Sequence, residues 1–447
     1  MKKPKIKLKN KSLILIYFGL VMPSLYAEDL KDIYELALKN DPNLKVAQAS
    51  YKIGKEYKAQ GIAGLLPSLS VTAQTSWQEF RLEDTLLDQY NSNYYSGSLS
   101  QPLFRLDRWF QFQRGKSLSK AAEAEFAYQQ QETMIRVATS YFNVLNAMDA
   151  LNAAKAEEEA IGRQKDQSKK RYEVGLASIT EVQETQAAFD TSVVSRIVRE
   201  SQLDTAKEAL SAIIGGPVPL LSPLKEDYPT PPPTPMDRET WVKIGLKNNL
   251  QLKAARLNEE ASKHSARSAK SDHLPKVDIV GNVTRSTSGQ GKFGGFITNP
   301  QMDMESDNRQ YSIRFTMPIS QGGYINSARR QANAQYERDK QRTVVTERSV
   351  TSEIRSNHFN VQTQSANVKA RKQSLISSKS SLEATKIGFD VGSRNVVDLL
   401  QSERSLYAAQ RDYLNSRYDY IISRLRLKSS VGSLTPQDLY EISNLME

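Results

Sequence analysis

The chain has no cysteine, only three histidines among 447 residues, and no apolar run of the length a membrane helix needs beyond its N-terminal leader. Without cysteine there are no disulfides, no thiol catalysis and no lipid-modified cysteine. His264, His273 and His358 are scattered and lack the spacing of metal ligands. No nucleophile stands beside a base at a catalytic spacing, so the sequence speaks for neither an enzyme nor a cofactor or metal site. Without about 20 consecutive apolar residues the mature chain is not a helical membrane protein. An exported chain of this size must hold together by packing or assembly.

Export is read from the first residues. Six lysines from Lys2 to Lys11 precede an apolar run from Leu13 to Leu25, and Tyr26-Ala27 stands ahead of Glu28-Asp29. This is the pattern of a removed signal peptide over 1–27. Setting aside its six lysines lowers the formal net charge from +11 to +5. The remaining basic residues are spread among acids, and Lys169-Lys170-Arg171 and Arg329-Arg330 read as solvated helix faces, so no nucleic acid partner is expected.

What is present is a tandem repeat. "ALKNDPNL" at 37–44 matches "GLKNNLQL" at 245–252, "LLPSLSV" at 65–71 matches "HLPKVDI" at 273–279, and "SYFNV" at 140–144 matches "NHFNV" at 357–361. Helix breakers are almost absent for about 70 positions before Gly392, a rod of roughly 100 Å, and the same happens before Gly175. Each half reads as helix, strand, loop, strand, very long helix, Val-Gly turn, long helix. The halves meet in "GGPVPLLSPLKEDYPTPPPTPMD" at 215–237, whose prolines forbid helix and favour stiff extended chain packed around the middle of the rod.

In the first long helix Val137, Tyr141, Val144, Met148 and Leu151 form a coiled-coil seam, widened by Ala138, Phe142 and Leu145. The matching face of the second is more polar, with Ile354, Phe359, Val361 and Val368 but also His358 and Ser365. Between the helices the period drops to 2. Leu69, Val71, Ala73 and Trp77 alternate with polar residues, as do Tyr311, Ile313, Phe315, Met317 and Ile319; weaker strands fall near 94–104 and 276–285. Each is about ten residues, enough for a tilted strand to cross a bilayer. Pro67 and Pro275 stop the incoming helices. The aromatics Tyr95, Phe104, Trp109 and Phe110 near one strand end, with Trp77, read as a girdle at a lipid boundary. Four strands leave two open edges that lipid cannot satisfy, so a barrel requires further copies, their number left open by this reasoning.

Taken in order, "ATSYFNVLNAMDAL" at 138–151, "RYEVGLASITEVQ" at 171–183, "DHLPKVDI" at 272–279, "MPISQGGYINS" at 317–327, "VGSRNVVDLL" at 391–400 and "SRYDYIISRLRLKSSVGSL" at 416–434 resemble the TolC-type outer-membrane efflux family over essentially the whole mature chain. The resemblance implies a mainly α fold with a β-barrel part: a homotrimer in which each chain gives four strands to one transmembrane barrel, continued by a long α-helical coiled-coil tunnel across the periplasm. It implies an outer-membrane exit duct of a tripartite efflux pump or type I secretion system. Cargo would arrive from an inner-membrane efflux or ABC transporter through a periplasmic adaptor. The expected segments are the leader 1–27, tunnel helix 28–67, hairpin 68–104, long helices 105–213, connector 214–239, then 240–275, 276–321 and 322–430 in the same order, and a C-terminal segment 431–447.

On this resemblance the two Val-Gly turns are the tips farthest from the outer membrane, with Val174, Gly175, Leu176, Val391, Gly392 and Ser393 meeting the adaptor. Glycine suits them because a tight reversal needs positive φ. "SITE", Ser178 to Glu181, has the form of a capping box, and Asn395 to Asp398 occupies the matching place. By resemblance Asp398 lines the narrowest ring and favours cations; Gln401 stands where a second acid is common, which implies weaker selectivity. Arg394 resembles a latch arginine, with Thr180 and Glu181 as partners, and Phe389 replaces a common tyrosine, removing one latch hydrogen bond. "GQGKFG" at 289–294 satisfies G-x-G-x-x-G but sits in a polar loop and reads as a flexible outer loop. The competing class is an exported coiled-coil structural or adhesion protein with no pore.

Overall fold

The computed structural model describes residues 27–82, 85–288 and 304–446. All of the expected leader except Ala27 lies outside the described residues, as does the Gly289–Gly294 stretch. In chain order the elements are α1 (Leu30–Asn40), α2 (Pro42–Ala63), β1 (Ser68–Leu82), β2 (Thr85–Phe104), α3 (Leu106–Glu173) and α4 (Ile179–Ile214). They recur as α5 (Arg238–Asn248), α6 (Leu250–Ser271), β3 (Lys276–Ser288), β4 (Met304–Thr316), α7 (Tyr324–Asp390) and α8 (Val396–Ser430), followed by α9 (Pro436–Ser443). Helix lengths of 11, 22, 68 and 36 residues repeat as 11, 22, 67 and 35. The duplication read from the sequence is therefore a duplication of structure.

Each half opens on a jointed helix pair because a capping side chain sits between the two helices. Asp41 ends α1 and caps α2 ahead of Pro42, while the Asn249 side chain accepts from the Leu252 N–H at 2.8 Å to start α6. The long helices form walls. Near the sheet α3 packs between α2 and α6, with α7 beyond α6; farther away α3 packs between α4 and α8, with α7 beyond α8. In both walls α2 or α4 is one edge and α7 the other.

The sheet repeats this plan, with antiparallel strands in the order β1-β2-β3-β4 and free edges on β1 and β4. The strands run 15, 20, 13 and 13 residues, longer than the ten expected, and β2 begins at Thr85 rather than near 94. The added length is polar: beyond the apolar band the strands carry Glu79, Arg81, Arg285, Asp307 and Arg309. β4 ends at Thr316, so Met317 and Ile319 lie past the strand that the alternation assigned to them.

The main core sits at mid-rod, where Tyr141, Phe142 and Val144 of α3 meet Tyr420, Ile421 and Leu425 of α8. The connector closes over them as expected. The Tyr141 hydroxyl donates to the Ser222 carbonyl at 2.8 Å, Tyr420 to that of Pro231 at 2.8 Å, and Leu224 bridges to Met446. One expectation fails here. The seam of α7 is Ile354, His358, Val361, Ser365 and Val368, all buried, whereas Phe359 is 65% exposed and lies off that face. Phe142, its counterpart, is fully buried because it stacks on Tyr418 of α8, ring centroids 5.5 Å apart. Phe359 is on the edge helix, and among the described residues no element is there to cover it.

Candidate functional site: a two-faced sheet and paired helix tips

Strand pairing decides which side chains share a face. Leu69, Val71 and Ala73 lie opposite Leu99, Gly97 and Tyr95, and those in turn lie opposite Gly281, Val283 and Arg285. Ile279, Gly281 and Val283 lie opposite Ile313, Tyr311 and Arg309. One face is thus apolar across all four strands up to Arg285 and Arg309, which stand on it beyond the apolar band, and the other carries Ser70, Ser98, Asn282 and Gln310. A sheet with one greasy and one hydroxylic face is what separates lipid from a watery lumen. Gly281 has a physical use on the apolar face: a Cβ there would stand 3.3 Å from the Tyr311 ring, which lies across it.

The aromatic girdle is not one cluster. Phe104 and Trp109 are at the helix end of the sheet and are exposed. Tyr95 lies nine residues up β2, about 30 Å along the strand, and Trp77, opposite Asn91, is farther still. The aromatics therefore mark both ends of the apolar band. Phe110 belongs to neither end, being half-buried against His264 of α6 with ring centroids 6.4 Å apart. Successive helical residues point about 100° apart, so Trp109 faces out where Phe110 faces in.

At the opposite end of the molecule both reversals have one construction. Gly175 and Gly392 each have φ 78°. Leu176 N–H donates to Arg171 C=O at 2.7 Å and Gly175 N–H to Tyr172 C=O at 2.9 Å; Ser393 donates to Gly388 at 2.8 Å and Gly392 to Phe389 at 3.0 Å. This pairing satisfies the last carbonyls of a helix and needs a left-handed residue. The chain then re-enters helix at once. Ser178 Oγ accepts from the Glu181 N–H at 3.2 Å, and Asn395 Oδ1 from the Asp398 N–H at 2.8 Å. Val174, Gly175, Leu176, Val391, Gly392 and Ser393 are all exposed, so each tip presents apolar side chains.

The remaining tip residues are arranged as follows. Arg394 crosses its own turn, its guanidinium 3.7 Å from Asp398 one helical turn on. Glu181 accepts from Ser168 Oγ at 3.2 Å, while Thr180 is exposed. None of the described hydrogen bonds or ion pairs within one chain joins Arg394 to Thr180 or Glu181. Gln401 is exposed three residues after Asp398, on the same side of α8. Phe389 is buried among Ile161, Ala188, Val396, Leu399 and Leu400, the apolar cluster that ties the two tips together.

Sequence reasoning missed three residues here. Arg171 lies over the Phe389 ring, 5.0 Å from its centroid, a contact of about 0.5–1 kcal/mol where solvent reaches it. Gly388 is bare because a Cβ would stand 2.8 Å from Arg394 Cγ. Glu403, half-buried on α8, has one carboxylate oxygen without a described partner. Burial pushes its carboxyl above the ordinary 4.5, Arg163 and Lys386 oppose the rise, and the Glu157 charge adds to it. A raised carboxylate pKa means the folded chain takes up the proton more readily than the unfolded one. That stabilisation is complete below 4.5 and is lost as pH rises through the folded value. Glu403→Gln is therefore expected to raise the thermal midpoint at pH 7, on the order of 2 °C, and to flatten its pH dependence above 4.5. A lower midpoint across the whole range would show that the carboxylate is used by a partner.

Comparison with known proteins agrees with this architecture. The profile of the outer membrane efflux protein family matches residues 33–216 and 241–433. The chain is 32% identical to the outer membrane protein TolC of Escherichia coli (strain K12) over 445 residues, covering 98% of this chain and 89% of that one. It is 27% identical to the alkaline protease secretion protein AprF of Pseudomonas aeruginosa, over 93% of this chain and 86% of that one. Among solved structures, the Campylobacter jejuni CmeC outer membrane channel superposes with a TM-score of 0.75 at 18% identity, covering 100% of this chain and 98% of that one; at that identity the likeness speaks for the fold alone. The chain belongs to the outer membrane efflux protein family, and it is an outer-membrane channel for efflux or secretion whose helices extend into the periplasm.

Proposed function

We propose that three copies close edge to edge into one duct, which receives cargo at the helix tips from an inner-membrane efflux or ABC transporter through a periplasmic adaptor. The observation that carries the closure is a mismatch between the two halves. In α6, Ala254 is 5% and Ala261 2% exposed because α3 covers them. Their counterparts in α2, 208 residues earlier, are Val46 and Ile53, which are 66% and 64% exposed. Those apolar side chains occupy positions built to be covered, and the element of the right type is α7 of another copy. Unheated detergent extracts should give a mass of three chains by native mass spectrometry. A different closed number would replace the stoichiometry, and a monomer stable in plain buffer would end the proposal.

The exposed apolar tips support docking of an adaptor, and Asp398 with Gln401 forms the narrow ring in this reading. Arg394 holds the tips shut by reaching Thr180 or Glu181 across neighbouring helices, a contact made only when the ring closes. Arg394→Ala is expected to raise single-channel conductance in planar bilayers several-fold. Asp398→Asn loses the Arg394–Asp398 ion pair across the start of α8 but leaves the latch, so its conductance should not rise, whatever the lost ring charge does to cation selectivity. Equal behaviour of the two variants would reduce Arg394 to a helix-surface ion pair, which contributes only about 0–1 kcal/mol.

A further inference from the structure

We infer that the free edge of β4 pairs with the free edge of β1 of the next copy in one register, with Arg309 opposite Glu79 and Tyr311 opposite Trp77 of that copy. The inference rests on the shared barrel proposed above and specifies its seam. The repeat supplies the register. Pro67 and Pro275 stand 208 residues apart, and Pro102 and Pro318 stand 216 apart. The hairpins agree with the sum of the two offsets: Ser68 lies opposite Ser100 in the first, and Lys276 opposite Thr316 in the second, while the prolines set each offset singly. β3 is thus β1 repeated, and β4 is β2 repeated.

The pairing of β2 with β3 is consequently an instance, inside one chain, of the junction that β4 must make with β1 of the next copy. Tyr95 opposite Arg285 becomes Tyr311 opposite Trp77, and Asn93 opposite Thr287 becomes Arg309 opposite Glu79. Leu99 opposite Gly281, a large residue over a small one, becomes Phe315 opposite Ala73. The transposed register was built from proline positions and backbone pairing alone, yet it also brings Asp307 opposite Arg81. Opposite charges facing across strands stabilise, and like charges facing destabilise.

Neighbouring registers fail on charge. Sliding by two residues one way sets Asp307 against Glu79; the other way sets Arg309 against Arg81. Sliding by one residue turns the apolar face of β4 into the lumen. Among the described residues Arg309 has no ion pair of its own, whereas Glu79 has only Arg81 of its own strand, at 3.2 Å.

Because the natural chain holds no cysteine, any disulfide in a double-cysteine variant reports the seam. Residues directly opposite have Cα atoms about 4.5–5.5 Å apart, inside disulfide range, and those displaced by two do not. Glu79→Cys with Arg309→Cys, in the full chain in outer membranes, is expected to give a thiol-sensitive ladder of linked copies ending at the closed ring. Glu79→Cys with Asp307→Cys, and Arg81→Cys with Arg309→Cys, should stay unlinked. Predominant linkage by either of these pairs overturns the register and leaves the shared barrel standing. No linkage by any pair also overturns the register if unheated gels still show the oligomer. If those gels show only monomer, the shared barrel falls with it. As a second readout, Glu79→Arg and Arg309→Glu should each lower the heat resistance of the oligomer, and the two together should restore it.

Discussion

Ile53→Asp is expected to leave a folded chain that no longer assembles. Within one chain the residue is exposed on the outer side of α2, and its counterpart Ala261 is buried against α3. If α7 of the next copy covers Ile53 as α3 covers Ala261, the substitution removes about 2 kcal/mol of apolar burial. It also places an unpaired carboxylate in the junction, at a further 3–5 kcal/mol or so. The sum is roughly 5 kcal/mol or more per junction, a factor of several thousand, and in a closed ring every copy carries it. Unheated electrophoresis should show monomer, circular dichroism should keep the helical signal, and conductance should fall to background. Phe359→Asp should do the same from the other edge, since Phe359 is exposed where Phe142 is buried. Wild-type oligomer from both variants would mean that these stripes are not the junction.

Gly432→Val acts on the single chain and should largely remove it from the outer membrane. α8 ends in the same construction as the tips, with Gly432 at φ 74°, its N–H donating to Ser429 C=O at 2.8 Å. Here the turn is not in open space. An added Cβ would stand 2.4 Å from the Asn248 carbonyl oxygen and 3.2 Å from Asn249 Cα. Those atoms are backbone, held where Asn249 Nδ2 donates to Ser430 C=O at 2.8 Å, so they cannot swing aside. Left-handed strain of about 1–2 kcal/mol adds to overpacking of about 1–3 kcal/mol, together a large share of a net stability of about 5–15 kcal/mol. Gly216→Ala is the control, since nothing lies within 4 Å of a Cβ there. Equal yields of the two variants in outer-membrane fractions would contradict the close approach.

Much of the fold was legible because its signals are local. The repeat, the caps at Ser178 and Asn395 and the glycine reversals each depend on residues within a few positions, and each is where the sequence placed it, although the capping boxes are half formed: Glu181 turns to Ser168 and Asp398 to Arg394. The pore-free coiled coil was open on the same signals, because alternation along a strand does not say what covers its apolar face; family membership closes that question. The aromatics read as one cluster are spread along the sheet. Tyr95 and Phe104 are close in sequence, but extended chain carries them to different ends of the band, and Phe110 turns inward on a helix that begins at Leu106.

The less legible residues all face a partner distant in sequence. His358 and Ser365 are polar, yet they are buried with Ile354 and Val361, and Ser365 Oγ donates to the Thr230 C=O of the connector at 2.7 Å. Phe359 is apolar, yet it is outside. Arg171 was read as part of a solvated basic face, and its charge lies over Phe389 on another helix.

The sequence by itself determined the duplicated plan, the helix ends, the two-faced strands and the family, because periodicity, caps and positive-φ glycines act over a few bonds. Only the tertiary structure decided which stripes are covered and which stand at an edge. Burial depends on what lies across the wall, and α2, α4, α7, β1 and β4 each have one side that no described element of the chain covers.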